Sequence, residues 1–167
     1  GVSNVSDINF LISDETNLTV HEIASIARKA KRVHKGLSMV VIDYLQLINL
    51  GHKAERNKAE AIEDASRYLK ILAQELGVPI MVLSQLNRQL EQRADKRPVV
   101  SDLRGSGGLE QDADAIILLY RDEVYNPDTP DKGVTEVIIG KQRDAPISIV
   151  SLRSDLKTFT YRDFHEF

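Results

Sequence analysis

An α/β fold with a mainly parallel sheet and an antiparallel edge is what this sequence predicts, on three observations. Apolar runs end at polar residues, MVVI at 39–42 before Asp43, PIMVLSQ at 79–85 and AIILLY at 115–120, as strands buried on both faces do. Segments with helical spacing precede the first two runs. The end of the chain instead strings together VTEVIIG (134–140), ISIVSL (147–152) and KTFTY (157–161), the pattern of a terminal β-meander.

The elements come in this order. INFLI at 8–12 is compatible with a short strand, and SDETN at 13–17 is turn chemistry. Thr19 and Glu22 form a capping box, and Val20, Ile23, Ala24, Ala27, Ala30 and Val33 follow at helical spacing up to a stop at Gly36. The outward face of that helix carries Arg28, Lys29, Lys31, Arg32 and Lys35, either a solvated face or a surface for nucleic acid. Residues 51–58 (GHKAERNK) read as a polar, basic, mobile stretch. A longer helix with Ile62, Ala65, Leu69, Leu72 and Leu76 on one face ends at Gly77, before Pro79. Residues 86–112 form a polar connection longer than compact domains usually carry, and such connections tend to be functional or disordered. DEVYNPDTPDKG at 122–133 is an exposed turn.

Composition sets outer limits. The 167 residues, 42% apolar and 28% charged, suit one globular domain, read as spanning 1–167. A net charge of -3 means that contact with nucleic acid has to come from a local basic loop rather than from a global field. The absence of cysteine excludes disulfides, thiolate zinc sites and thiol nucleophiles, and the four histidines are scattered. No apolar stretch is long enough to span a membrane and no signal pattern opens the chain, so a cytoplasmic location is expected. The chain opens GVSNVSD, without Met, and is expected to have been cut from something longer.

In parallel sheets ligands bind beyond the carboxyl ends of the strands, so the residues there are the first candidates. Asp43 stands where a nucleotide-binding fold places a carboxylate for the water shell of Mg²⁺, and also where a plain turn or cap residue stands. Gln85 ends the next run, where an amide can sense a terminal phosphate or bond its own loop. Residues 86–104 hold five cations against three carboxylates, an excess suited to a few backbone phosphates, or to a solvated loop. In PVVSDLRGSGGLEQDAD (98–114), Gly105, Gly107 and Gly108 let the backbone approach a partner closely while Arg104 supplies charge. Lys141 and Arg143, two apart at a strand end, share one side and can neutralise a transferring phosphoryl group, or serve as ordinary edge-strand charges. Gly133 and Gly140-Lys141 mimic the ends of a phosphate-binding loop, but six residues intervene instead of four and Gln142 replaces Ser/Thr; no other stretch matches.

Taken together, VVIDYLQLI (40–48), LSQLNRQLEQRADKRPVVSDLRGSGGLEQDADAIILLYRDEVY (83–125) and EVIIGKQRDAPISIV (136–150) resemble the C-terminal motor domain of bacterial and phage replicative DNA helicases, the DnaB family. The resemblance covers essentially the whole chain and is less specific before residue 37. It implies a RecA-like P-loop NTPase core, a homohexameric ring, and 5′-to-3′ unwinding driven by ATP hydrolysis at subunit interfaces. It implies ATP and Mg²⁺ as cofactors, with single-stranded DNA, a primase and a helicase loader as partners. By position, Asp43 looks like the Walker B carboxylate, holding Mg²⁺ through water, and Gln85 like the γ-phosphate sensor. Arg104, Gly105 and Gly107 fall where the family grips the strand backbone. Lys141 and Arg143 match the pair that reaches a neighbour's ATP, with Arg143 as the arginine finger.

Three departures from the family pattern stand out. Gly105 replaces a Glu that many relatives carry, Asp144-Ala145 replaces Asn-Gly, and Ser148-Ile149 replaces a glycine-containing motif in the last hairpin. The phosphate-binding loop and catalytic Glu of the family would precede the first residue, and Tyr44 rather than Glu follows Asp43. The expectation is therefore one N-terminally truncated motor domain, inactive by itself. The alternative is a non-catalytic RecA-fold module that binds DNA or partner subunits.

Overall fold

The computed structural model describes residues 10–34, 36–103 and 106–164, of which Ser106 is described in its backbone only. Helix α1 spans Val20–His34 and opens on the expected capping box. Glu22 Oε2 accepts from both the backbone N–H and the hydroxyl of Thr19 at 2.8 Å, and Thr19 Oγ1 accepts from the Glu22 N–H at 3.3 Å. Two strands follow, β1 (Val40–Ile42) and β2 (Ile80–Val82), joined in parallel with Val40 opposite Ile80 and Ile42 opposite Val82.

Between them lie α2 (Lys53–Arg56) and α3 (Lys58–Leu76). The stretch expected to be mobile is thus a helical turn. Asn57 caps α3 by accepting from the Glu60 N–H, while Lys53 pairs with Glu60 and Asp64, so the polar residues of this stretch are used to anchor it. Gly77 ends α3 at φ 60, the left-handed conformation that a side chain disfavours. The apolar faces of α1 and α3 close over β1 and β2: Ala24, Ala27, Leu45, Ile48, Ile62, Leu69, Leu72 and Leu76 form the core.

The basic face of α1 is partly tied down. Arg28 grips Glu75 of α3 through Nε and one terminal nitrogen, at 2.7 and 2.6 Å, and Lys31 donates to the Leu76 carbonyl.

The second layer is a four-stranded antiparallel sheet in the order β3 (Ala115–Tyr120), β4 (Val134–Gln142), β5 (Ser148–Asp155), β6 (Thr160–Asp163). AIILLY, read as a third buried strand of the parallel type, pairs with β4 instead and alternates, burying Ile116, Leu118 and Tyr120 while exposing Ile117 and Leu119. Among the described strands the antiparallel part therefore outweighs the parallel pair. Phe10, Leu11 and Ile12 are exposed and lie in no strand; the rest of INFLI is outside the described residues.

A great deal of apolar surface stays uncovered. Val41, Met81, Leu83, Ile117 and Leu119 are all exposed. The accessible area is 12049 Å², against roughly 8,300 Å² for a compact monomer of this mass. Among the described residues, no helix is long and apolar enough to cross a membrane.

Candidate functional site

Asp43 follows β1 directly, and the ladder places Ile42, its predecessor, opposite Val82. Leu83 N–H donates to Ile42 O at 3.0 Å, and Leu45 N–H returns to Leu83 O at 2.9 Å, so the two strand ends run on side by side. Asp43 and Gln85 thus both stand past the carboxyl ends of neighbouring parallel strands, the place where such sheets bind ligands. Both are exposed, and no hydrogen bond or ion pair engages the Asp43 carboxylate among the described residues. The Asp43–Tyr44 peptide is cis.

A third residue, Gln46, ties Gln85 to the loop after β1. Gln46 Oε1 accepts from the Gln85 N–H at 3.2 Å, while its Nε2 donates to Ser84 Oγ at 3.0 Å and to Gln85 O at 3.5 Å. The loop after β1 is thereby stitched to the loop after β2. Sequence reasoning passed over Gln46, although an amide inside the apolar run VVIDYLQLI is a signal that it has a dedicated partner.

The connection after β2 is more ordered than its composition suggests. It contains 3-10 turns at Arg88–Gln92 and Val100–Asp102, and Leu86 bridges to Leu103. Much of its basic excess is spent internally. Arg93 binds both oxygens of Asp102, Arg97 binds both of Glu136 at 2.9 and 2.8 Å, and Lys96 donates to the carbonyls of Glu91 and Arg93. Arg88 is exposed and has no ion pair among the described residues. Of the five cations of 86–104, Arg93, Lys96 and Arg97 are thus engaged within the protein, which narrows the local excess expected to meet phosphates.

Arg104 and Gly105 lie outside the described residues. Gly107 sits in the first turn of helix α4 (Ser106–Asp112), and a Cβ built there meets nothing within 4 Å. At Gly108 the same Cβ would run into Glu63 Cγ and lie 2.7 Å from Glu63 Cβ, so this glycine lets α4 lie directly on α3.

Lys141 and Arg143 are brought together as their spacing predicts. The β3–β4 register shifts between Ile116, opposite Lys141, and Ile117, opposite Ile139, which leaves Gly140 as a bulged residue. Bulges of this kind bend a strand and re-aim the side chains beyond them. Both cations then reach the end of α4, each within 3.4 Å of Gln111 O, and Lys141 also donates to Glu110 O. Arg143 Nε lies 3.1 Å from Asp114 Oδ1, and Lys70 of α3 pairs with the other oxygen of that carboxylate. Chiefly Lys70, then Arg143 and Lys141, hold the Asp114 carboxyl below the usual carboxylate range.

No group of three His, Cys, Asp or Glu side chains able to hold a metal occurs among the described residues. Mg²⁺ keeps its waters and is bound through one or two carboxylates plus substrate phosphates rather than in a protein cage. The uncommitted Asp43 carboxylate fits that role.

Comparison with known proteins gives consistent matches. The family described as DnaB-like helicase C terminal domain matches residues 1–163. Replicative DNA helicase DnaB of Haemophilus influenzae is 54% identical over 145 residues, covering 87% of this chain and 31% of that protein. The Geobacillus stearothermophilus protein of the same name is 45% identical over 151 residues, covering 90% of this chain and 33% of that protein. The chain thus spans about a third of the length of these relatives. Among solved structures, one described as an ATPase domain superposes with a TM-score of 0.91 at 44% identity, covering 98% of this chain and 58% of that one. A DnaB-like replicative helicase, studied for its interactions with primase, superposes equally well at 0.91 and 44%, covering 98% of this chain and 40% of that one.

Proposed function

The chain belongs to the DnaB-like helicase C-terminal domain family, and from that premise we propose that it is part of one motor domain of a hexameric replicative helicase. In this reading the full-length protein couples ATP hydrolysis to 5′-to-3′ movement on single-stranded DNA and unwinds the duplex ahead. It is a cytoplasmic enzyme that works with a primase and a loader. The observation that carries the reading is the placement of Asp43 and Gln85 past adjacent parallel strand ends, with Gln46 tying Gln85 to the loop that Asp43 opens.

Asp43 holds the water shell of Mg²⁺, and Gln85 reads the terminal phosphate of ATP. Gln85 opens the connection that leads to Arg104, Gly105 and Gly107, the residues assigned to the strand backbone, so phosphate sensing and DNA contact lie on one stretch of chain. Lys141 and Arg143 serve the nucleotide of a neighbouring subunit. Magnesium, when bound, supplies charge neutralisation at the transferring phosphoryl group. The exposed apolar side chains of β1, β2 and β3 support completion of this domain by the part of the protein that carries the phosphate-binding loop and catalytic Glu.

The test is Asp43→Asn in the full-length helicase. Hydrolysis and unwinding of a forked duplex should fall by about a hundredfold or more, because the carboxylate that orders the metal is lost. Unwinding at the unsubstituted rate would overturn the assignment.

A further inference from the structure

Lys141 and Arg143 do not project freely from the end of β4. Their partners all belong to one small region, the carbonyls of Glu110 and Gln111 in the last turn of α4 and the carboxylate of Asp114 just before β3. Backbone register explains why the carboxylate is there. Ala115 pairs with Gln142, so Asp114 and Arg143 are the next residues outward on the same ladder. The helix end explains the carbonyls, because the last C=O groups of a helix lack intrahelical partners and favour cations. Lys70 fixes the Asp114 carboxylate from the other side, tying it to α3.

The geometry points to Asp114, with the Glu110 and Gln111 carbonyls, as a positioning seat that holds Lys141 and Arg143 at the subunit edge and ties them to the helix that begins beside the strand-binding loop. The inference rests on the reading of Arg143 as the residue that reaches a neighbouring nucleotide. Asp114 engages Arg143 chiefly through Nε, which steers the guanidinium from its base and leaves its terminal nitrogens, among the described residues, one long contact of 3.4 Å to Gln111 O. Arg143 and Asp114 are 53% and 60% exposed, so solvent screens the pair and it adds little to stability. Its consequence is orientation. Arg104 and Gly105 immediately precede α4 in sequence, and Gly108 packs that helix on α3, so a strand contact at the start of α4 and the seat at its end share one short rigid element.

The experiment is steady-state ATP hydrolysis by the full-length helicase, with and without single-stranded DNA, for Asp114→Asn, Asp114→Glu, Arg143→Ala and the double variant Asp114→Asn with Arg143→Ala. With DNA present, Asp114→Asn should lower kcat roughly tenfold to a hundredfold with KM within about twofold, the signature of a misplaced group rather than of lost binding. Asp114→Glu should recover most of kcat. On the Arg143→Ala background Asp114→Asn should cost nothing further, because its effect passes through that arginine. An unchanged or raised kcat in Asp114→Asn overturns the seat. So does an equal loss on both backgrounds, which is what general structural damage produces. If Arg143→Ala itself leaves kcat unchanged, the reading of Arg143 fails and the seat with it, an outcome distinct from a silent Asp114 beside a crippling Arg143→Ala.

Discussion

Arg93 grips Asp102 with both terminal nitrogens, 3.0 Å to Oδ1 and 2.9 Å to Oδ2, and the same carboxylate accepts the Val99 N–H at 2.8 Å. One acidic side chain, only 8% exposed as a residue, thus closes the connection between β2 and α4 on itself. Removing it leaves the Val99 N–H without its acceptor and Arg93 with only the carbonyls of Asp95 and Arg97. Asp102→Ala should therefore cost about 1–3 kcal/mol, read as a drop in the denaturant midpoint. Asp102→Asn, which keeps one acceptor oxygen, should cost less. An unchanged midpoint for both would show that the connection does not depend on this pair.

How far the sequence could be read depended on the range of the interaction. The Thr19–Glu22 box and the Gly77 stop were legible because each is settled within one turn of helix. The six apolar residues of AIILLY gave strand but not partner: with both faces apolar, an alternating strand and a doubly buried one look alike, and only the β4 ladder decides. At the candidate site, Asp43, Gln85, Lys141 and Arg143 were singled out by position, spacing and family resemblance, while the contacts of Gln46 and Asp114 were not anticipated. Their roles come from pairing with segments 39 and 29 positions away, Gln85 and Arg143, to which no local pattern points. The fate of Arg93 and Arg97 was hidden for the same reason, as their carboxylates lie at Asp102 and Glu136.

The isolated chain should show negligible ATP hydrolysis. On the proposed reading Asp43 and Gln85 serve metal and terminal phosphate, but most of the stretch that mimics a phosphate-binding loop, Val134 to Lys141, is strand β4, paired with β3 or β5 at every position except Gly140. A β-ladder uses the very N–H groups that such a loop would turn toward phosphate. Phosphate release by the purified chain should match the buffer blank. Steady turnover that Asp43→Ala abolishes would mean that a phosphate site exists within these residues.

Acid should weaken the fold in a defined window. Lys53 holds the Asp64 carboxyl low, Arg28 does so for Glu75, Lys70 for Asp114, and Arg121 for Glu123. Each is a carboxylate with a folded pKa below its unfolded value. The stability it contributes is full above about pH 4.5 and is lost as pH falls through the lowered folded values. The denaturant midpoint should be level from about pH 7 to 5 and then fall steadily below about pH 4. Asp64, Glu75 and Asp114 are about half exposed to solvent and only the Arg121–Glu123 pair is more sheltered, so the decline should be shallow and further reduced by salt. A midpoint that stays level to about pH 3 would show that the pairs contribute nothing.

Two adjacent glycines separate packing from strand contact. A methyl at Gly108 runs into Glu63 Cγ and lies 2.7 Å from its Cβ and 3.0 Å from its Cδ, so Gly108→Ala must push α4 off α3. The expected cost is about 1–3 kcal/mol. Adding Glu63→Ala removes the Cγ and Cδ contacts but leaves Cβ at 2.7 Å, so rescue should be partial. A methyl at Gly107 meets nothing within 4 Å, and Gly107→Ala should leave the denaturant midpoint nearly unchanged. If Gly107 contacts the strand as proposed, the same methyl intrudes on the phosphate backbone, and single-stranded DNA should bind the full-length Gly107→Ala protein more weakly in a titration. Equal affinity with an equal midpoint would remove Gly107 from the DNA contact while leaving the packing role of Gly108 intact.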